Sequence, residues 1–192
     1  MEKLNEKEKI LIVVDMINGF IKEGNMKDEN IANIIPNIVD IAQKFQKENN
    51  PIIFIKDAHT LESIEFKKFP VHCLKGTSES QIVDELEEYV VPELTYEKNA
   101  TSARENKKLM KDIERMKALK EIVITGCCTD ICILNLAIGL INYFDEKNIN
   151  IQITVPRNAV DTFNSDSHNK DEYNDISLKL MKQAGINITE VY

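Results

Sequence analysis

Tryptophan is absent from this sequence of 192 residues, cysteine occurs only four times, and long apolar runs are missing. A helix that spans a bilayer needs about 20 apolar residues, and no run approaches that length. The charged segment 1–9 lacks the apolar core of a signal peptide. Three of the four cysteines crowd into 127–132, unlike the spaced disulfide framework of a secreted domain. We therefore expect a cytoplasmic protein with reduced thiols and no membrane partner.

The balance of charge and size narrows the class further. A formal net charge of -8 disfavours binding to a nucleic-acid backbone. A composition of 43% hydrophobic and 29% charged residues is typical of a globular protein. The length suits one domain with a sizeable core, and no internal repeat or linker divides the chain, so we expect a single domain over residues 1–192.

Short apolar runs alternate with segments of helical periodicity along the chain. The runs predict strands at 10–14, 52–55, 94–98, 122–125, 148–155 and 186–191. Between them, helices are predicted at 31–45, 102–116, 129–144 and 171–184, with Pro36 marking a break or kink in the first. The segment 76–91 is expected to begin with a polar turn and to continue as a short helix. This order predicts an α/β fold, a three-layer doubly wound and mostly parallel sheet with helices on both faces.

The segment 121–137 combines a predicted buried strand, a turn on Gly126 and a helix that starts near Thr129 and Asp130, whose side chains are candidate caps. Cys132 falls in the first turn, where the helix dipole and free N–H groups favour a thiolate. Two interpretations remain open on this segment alone. Cys132 is a nucleophile, or the clustered thiols are small buried hydrophobic residues.

Two further strand ends carry polar residues: Asp15 follows the first run, and Lys98 ends the run at 94–98. Each alone has an ordinary interpretation, a turn aspartate and a solvated lysine. In a parallel sheet both would meet Cys132 at one edge. A carboxylate, an ammonium and a thiol there form a base, a charge stabiliser and a nucleophile, with backbone N–H groups of Cys128 and Cys132 as oxyanion donors. The set predicts acyl transfer through a thioester, with water as final acceptor.

A second cluster follows the run at 52–55. Asp57 and His59 point to the same face of an extended chain, and His72 follows thirteen positions later, with Glu65 between the histidines. A lone histidine is more often structural. One carboxylate and two imidazoles, however, suit one divalent metal ion, with zinc as first choice and iron or manganese as alternatives. Glu65 is a candidate fourth ligand.

These segments resemble the isochorismatase-like cysteine hydrolases, and among them the nicotinamidases, over nearly the whole chain. The matching motifs are ILIVVDMINGF, KDAHT, FPVHCLKGT, YEKNATSA and ITGCCTDICI. The resemblance implies catalytic roles for Asp15, Lys98 and Cys132. It also implies a cis peptide bond before Cys128 that aims the N–H of this residue into the oxyanion hole.

The same resemblance implies that Asp57, His59 and His72 hold a metal ion that binds the pyridine nitrogen of the substrate. Glu65 matches an additional ligand of some members. Related isochorismatases and carbamoylsarcosine amidases generally lack this full set. Two positions depart from the family pattern: Gly19 stands where aspartate is common, and Cys128 where alanine is usual.

The substrate pocket is less well defined by the sequence. With no tryptophan in the chain, an aromatic wall must come from phenylalanine or tyrosine, and Phe20 is the best candidate. Cys127 is a second candidate substrate contact. Asp161 and His168 have no assigned role; a structural carboxylate at the sheet edge and a surface or helix-start histidine are their ordinary interpretations.

The resemblance implies a nicotinamidase, which hydrolyses nicotinamide to nicotinate and ammonia in NAD salvage. The alternative is a related hydrolase acting on another small amide or on isochorismate. A non-catalytic binding or redox protein that uses the cysteine cluster would leave Asp15 and Lys98 unexplained. The expected partner is a small-molecule substrate, and a homo-oligomer is compatible with the sequence.

Overall fold

The computed structural model describes residues 2–192, with side chains from residue 4 onward. Seven strands form one sheet: β1 Lys9–Val14, β2 Ile52–Asp57, β3 Thr95–Lys98, β4 Glu121–Cys127, β5 Gln152–Pro156, β6 Val160–Asp161 and β7 Asn187–Thr189. The α-helices are α1 Asn18–Ile21, α2 Ile35–Lys47, α3 Lys107–Arg115, α4 Leu134–Glu146 and α5 Lys170–Gln183. Among these residues, no helix has both the length and the apolar character needed to cross a membrane.

The sheet is built outward from β1 in two directions. Its strand order is β3-β2-β1-β4-β5-β7, β6 pairs with the end of β4, and every pairing is parallel. Because the chain moves to one side of β1 with β2 and β3, and to the other side with β4, a crevice opens between the carboxyl ends of β1 and β4. The predicted α/β doubly wound sheet is therefore confirmed.

Alternate residues of β1 contact different helix layers, as a strand covered on both faces requires. Ile10, Ile12 and Val14 belong to a buried cluster with apolar residues of α3, α4 and α5, whereas Leu11 and Val13 belong to a cluster with α2. Each fully buried side chain of this kind stabilises the fold by about 1.5–3 kcal/mol relative to exposure. The three layers are thus held by a core on each face of the sheet.

Gly126 allows the close approach of the two central strands. Its φ is +113°, and a Cβ atom added there would lie 2.0 Å from the carbonyl oxygen of Val14. Only glycine fits this combination of dihedral angle and contact. The turn that leads β4 toward its helix is fixed by this residue, beside the end of β1.

Several boundaries differ from the sequence-based expectations. Pro36 does mark a break, because a 3₁₀ turn, Glu29–Ile34, precedes α2 and the proline occupies its first turn, where a missing N–H costs little. The segment 76–91 forms the 3₁₀ turns Ser78–Ser80 and Asp84–Tyr89 instead of an α-helix.

The remaining differences have local causes. The helix predicted from 102 starts at Lys107, because the Asn106 side chain accepts hydrogen bonds from the N–H groups of Lys108 and Leu109. The strand expected over 148–155 begins only at Gln152. The two-residue strand β6 was not expected, since two residues are too few to show a periodicity.

Candidate active site

Asp15, Lys98 and Cys132 meet at the crevice between β1 and β4. The Lys98 Nζ lies 2.9 Å from Asp15 Oδ2 and 3.6 Å from the Cys132 Sγ. All three residues are buried, with 0, 5 and 7% exposure. The structure therefore brings together the acid, ammonium and thiol that the sequence places at three separate strand ends.

The backbone holds Asp15 in a fixed position. Its φ of +55° turns the chain out of β1. Its N–H donates to the Ile55 carbonyl at 2.8 Å, and its Oδ1 accepts from the Asp57 N–H at 2.9 Å. Because the main chain of β2 provides both contacts, the sheet itself orients the Asp15 carboxylate. The second carboxylate oxygen, Oδ2, then faces Lys98.

The turn that carries Cys132 differs from an ordinary helix start. The Cys127–Cys128 peptide bond is cis, as the resemblance implied, and a π-helical turn, Thr129–Ile133, then leads into α4. The expected capping by Thr129 and Asp130 is wrong. The buried Thr129 Oγ1 has no hydrogen-bond partner among the residues that the structure describes, and Asp130 bonds to a neighbouring loop.

Burial sets the electrostatics of this cluster. Burial raises the pKa of Asp15 to about 7, against the opposing effect of Lys98. Burial lowers the pKa of Lys98, but Asp15 and Asp57 outweigh it and hold that pKa well above its usual value. Burial also raises the pKa of Cys132 well above its usual value, although Lys98 acts in the other direction. Burial of Cys132 thus opposes the thiolate expected from the helix dipole, which makes a neighbouring base useful to the thiol.

A candidate metal-binding set lies directly beside this cluster. One ligand atom from each of Asp57, His59 and His72 lies within 4.8 Å of the other two. The His59 Nδ1 lies 3.0 Å from Asn99 Oδ1, and the His72 Nδ1 lies 2.7 Å from the Pro70 carbonyl oxygen. These acceptors hold the proton on Nδ1 and leave both Nε2 atoms free as ligands.

The Nε2 atom of His59 gives a direct test of whether a cation fits. It is buried and has no hydrogen-bond partner within residues 2–192. A buried nitrogen lone pair without a partner is costly, and a cation held by one carboxylate and two imidazoles would satisfy it. The residues present therefore fit a divalent metal ion.

Glu65 lies at the margin of this set. Its Oε1 accepts from the N–H and the hydroxyl of Thr101, at 2.6 and 2.8 Å, and its Oε2 lies 3.9 Å from the His59 Nε2. The carboxylate is thus fixed with one free oxygen toward the histidines. It remains a candidate additional ligand, outside the compact group of three.

A cavity of about 630 Å³ opens over both clusters. Its wall includes Asp57, His72, Cys132 and Cys128, together with the rings of the aromatic residues Phe20, Phe69 and Phe163. The ring of Phe20 lies 5.7 Å from that of His72. A cavity that combines aromatic side chains with polar groups is typical of a small-molecule site.

Cys127 does not line this cavity. Its side chain is fully buried, and its Sγ donates to the main-chain carbonyl of Asp15 at 3.2 Å. The structure corrects the expected substrate contact to a support of the Asp15 main chain.

The two residues left unassigned by the sequence have defined surroundings. Asp161 is buried in β6, where it accepts from Lys170 Nζ at 3.0 Å and Asn174 Nδ2 at 2.7 Å, which fits a structural carboxylate. His168 is buried and not on the surface, with its Nε2 2.9 Å from Asp130 Oδ2. Sequence reasoning missed Phe163, although an aromatic residue just past a strand end was a usable signal.

Comparison with known proteins identifies the family of this chain and three similar proteins. A family model described as the isochorismatase domain matches residues 9–191. Nicotinamidase 1 of Arabidopsis thaliana is 30% identical over 144 residues, which cover 65% of this chain and 57% of that protein. The chain thus spans little more than half the length of this curated relative.

Two solved structures are similar over nearly their full length. Nicotinamidase PncA from Bacillus subtilis has a TM-score of 0.79 at 27% identity, covering 95% of this chain and 99% of that one. Pyrazinamidase of Pyrococcus horikoshii, solved in complex with zinc, has a TM-score of 0.74 at 26% identity, covering 95 and 98%.

Proposed function

The chain belongs to the isochorismatase family, and from this premise we propose that it is an amidohydrolase of linear amides and, more specifically, a nicotinamidase. It would hydrolyse nicotinamide to nicotinate and ammonia, and so supply nicotinate to the salvage of pyridine nucleotides in the cytoplasm.

The observation that carries this proposal is the contact between the two clusters. Asp57 faces the two histidines, and its Oδ1 also lies 2.5 Å from the Lys98 Nζ, which in turn lies 3.6 Å from the Cys132 Sγ. A single ammonium therefore separates the metal-binding set from the thiol. Nicotinamide carries a metal-binding ring nitrogen and a carboxamide on one flat ring, so it can reach both clusters at once.

Asp57, His59 and His72 would hold the divalent ion, for which zinc is the first choice, since pyrazinamidase of Pyrococcus horikoshii was solved with zinc. When bound, the ion supplies a Lewis-acidic position for the ring nitrogen and thereby orients the substrate. The aromatic wall that includes Phe20 would enclose the ring and exclude water.

In the first half of the reaction, Asp15 takes the proton of the Cys132 thiol, and the sulfur attacks the carboxamide carbon. Lys98 stabilises the anionic sulfur. The oxygen of the tetrahedral intermediate accepts hydrogen bonds from the N–H groups of Cys128 and Cys132. Asp15 then returns its proton to the departing nitrogen, so ammonia leaves and a thioester to Cys132 remains.

In the second half, Asp15 takes a proton from water, and the resulting hydroxide attacks the thioester carbon. The carbon–sulfur bond breaks, and Asp15 returns its proton to the departing Cys132 sulfur and is again a carboxylate. The acid product leaves as nicotinate after it loses its own proton to solvent. One water molecule is consumed and one ammonia released in each cycle, with no change of oxidation state. The enzyme returns to its resting thiol.

Ammonia release from nicotinamide by the purified protein tests the proposal. We expect release that is lost after chelation and restored by zinc, iron or manganese, with the Cys132→Ala variant inactive throughout. No release by metal-loaded, reduced protein would reject nicotinamide as substrate. Other small amides, and then isochorismate, would be tested next in the same assay.

A further inference from the structure

A polar network connects the turn that carries Cys132 to the loop at 162–169. The Asp130 Oδ1 accepts from the Thr162 hydroxyl at 2.5 Å, and its Oδ2 lies 2.9 Å from the His168 Nε2. The side chains of Asp130 and His168 are each only 11% exposed. Asp130, two residues before Cys132, thus binds residues near both ends of the loop. Hydrogen bonds to a carboxylate are among the stronger ones, so these contacts hold the loop firmly.

His168 in turn fixes Phe163 by two independent contacts. The His168 Nδ1 lies 2.9 Å from the Phe163 carbonyl oxygen, and the two rings stack with centroids 3.8 Å apart and planes 12° apart. Tyr173 stacks on the opposite face of the imidazole at 3.7 Å. One oxygen atom therefore faces each ring nitrogen of His168, and an aromatic ring covers each face of the imidazole, so the ring is held on all sides.

Asp28 provides a second anchor for the same loop, 162–169. Its Oδ2 accepts from the Asn164 N–H at 2.7 Å, and its Oδ1 accepts from the Asn30 N–H at 2.9 Å. Phe163, Asn164 and the segment 25–30 all line the cavity. This part of the cavity wall, which includes the side chain of Phe163, is therefore held by contacts from two directions.

We propose that Asp130 and His168 are positioning residues that hold Phe163 as an aromatic wall of the cavity and thereby set its preference for flat aromatic amides. Neither residue touches the reacting atoms in the mechanism above. Their effect is on where a ring can lie relative to Cys132, so they act through Phe163. This inference rests on the proposed function for its substrate, nicotinamide, and on the contacts above for its geometry.

The test compares kcat and KM for nicotinamide in metal-loaded enzyme. His168→Ala and Asp130→Ala should raise KM about tenfold, the loss expected for one displaced aromatic contact, while kcat changes by less than about threefold. Asp130→Asn should restore KM relative to Asp130→Ala, because a carboxamide still accepts from Thr162 and donates to an unprotonated Nε2. Asn169→Ala is the matched control.

Asn169 caps α5 through the Glu172 N–H and has no contact with Phe163 in this network, so its variant weakens the same region without moving the wall. An unchanged KM in His168→Ala, or an equal rise in Asn169→Ala, would overturn the proposal. If His168→Ala fails to fold, the KM values of Asp130→Ala and Asp130→Asn are compared instead. Equal KM values in these two variants would also overturn the proposal.

A second readout keeps this inference separate from the proposed function. Cys132 is alkylated with iodoacetamide and with N-benzyl iodoacetamide, and modification is measured at Cys132 by peptide mass spectrometry. His168→Ala should lower the ratio of the benzyl to the small reagent, whether or not nicotinamide is the substrate. If the wild-type enzyme releases no ammonia from nicotinamide, the proposed function fails and this ratio alone decides the inference; an unchanged ratio rejects it.

Discussion

The Asp57 carboxylate contacts both functional clusters: its Oδ1 lies 2.5 Å from the Lys98 Nζ and 3.5 Å from the His59 Nε2. One buried side chain thus compensates the ammonium beside the thiol and also offers a ligand atom to a cation. The register of the sheet explains this arrangement, since Asp57 and Lys98 are paired residues at the ends of β2 and β3. The two clusters are therefore coupled by the fold.

Replacement of Lys98 by methionine should destabilise the protein strongly. Lys98 is the buried counterion of Asp15 and Asp57, and removal of one member of a buried ionic group costs about 3–5 kcal/mol. Urea unfolding measures this loss. Lys75→Met is the matched control, because Lys75 pairs with Glu97 at the exposed surface, where an ion pair contributes about 0–1 kcal/mol. Equal losses in both variants would contradict the assignment of Lys98 as a buried counterion.

Removal of the thiol should separate chemistry from binding. Cys132→Ala should abolish ammonia release, with a loss of at least about a thousandfold, since the nucleophile is replaced. The metal ligands and the aromatic wall are untouched, so affinity for nicotinate should be retained. Calorimetry of nicotinate binding and an ammonia assay measure the two properties on the same preparation. Normal turnover in this variant would reject a thioester mechanism.

The strand ends could be predicted from the sequence because apolar runs of isoleucine and valine mark buried parallel strands. Asp15 and Asp57 follow such runs, Lys98 ends the short predicted strand 94–98, and in a parallel sheet their positions converge without further information. The spacing of Asp57, His59 and His72 indicates the candidate metal-binding set, and the family motifs imply the same residues. These parts of the site depend on local pattern and on one rule of topology.

The remaining features depend on contacts between distant parts of the chain. Burial raises the pKa of Cys132, and no local sequence pattern shows this effect, which opposes that of the helix dipole. The role of His168 follows from Asp130, 38 positions earlier. The sequence predicts a substrate contact for Cys127, whereas in the structure its side chain contacts the main chain of Asp15. Which neighbour of a cis peptide bond faces the cavity depends on the folded crevice and cannot be read from the sequence.

Replacement of a proposed metal ligand should affect binding as well as rate. His59→Ala leaves Asp57 and His72 as an incomplete set, so zinc affinity should fall by at least about tenfold. Nicotinate binding should weaken with it, because the ring nitrogen loses its anchor. Chelator competition measures the metal affinity, and calorimetry measures nicotinate. A variant that binds zinc weakly but retains normal nicotinate affinity would contradict metal-held substrate.

Gly19 provides a test of packing beside the metal-binding set. An added Cβ there would lie 2.5 Å from the Sγ of Cys73, which follows His72, and 3.0 Å from the main-chain oxygen of Glu79. Any larger side chain, including the aspartate that the family resemblance implies here, would meet the same crowding. Cys73 is fully buried and cannot move aside, so Gly19→Ala should lower the free energy of unfolding by about 1–3 kcal/mol.

The matched control for Gly19→Ala is Gly139→Ala, in the interior of α4. An added Cβ at Gly139 meets only the flexible side chain of Arg104, at 3.1 Å or more. Alanine is favoured over glycine in a helix by about 1 kcal/mol, so this variant should be neutral or more stable. Urea unfolding of both variants measures the difference. If Gly19→Ala were as stable as Gly139→Ala, the segment beside His72 would have room to shift, and the steric reason for glycine would be wrong.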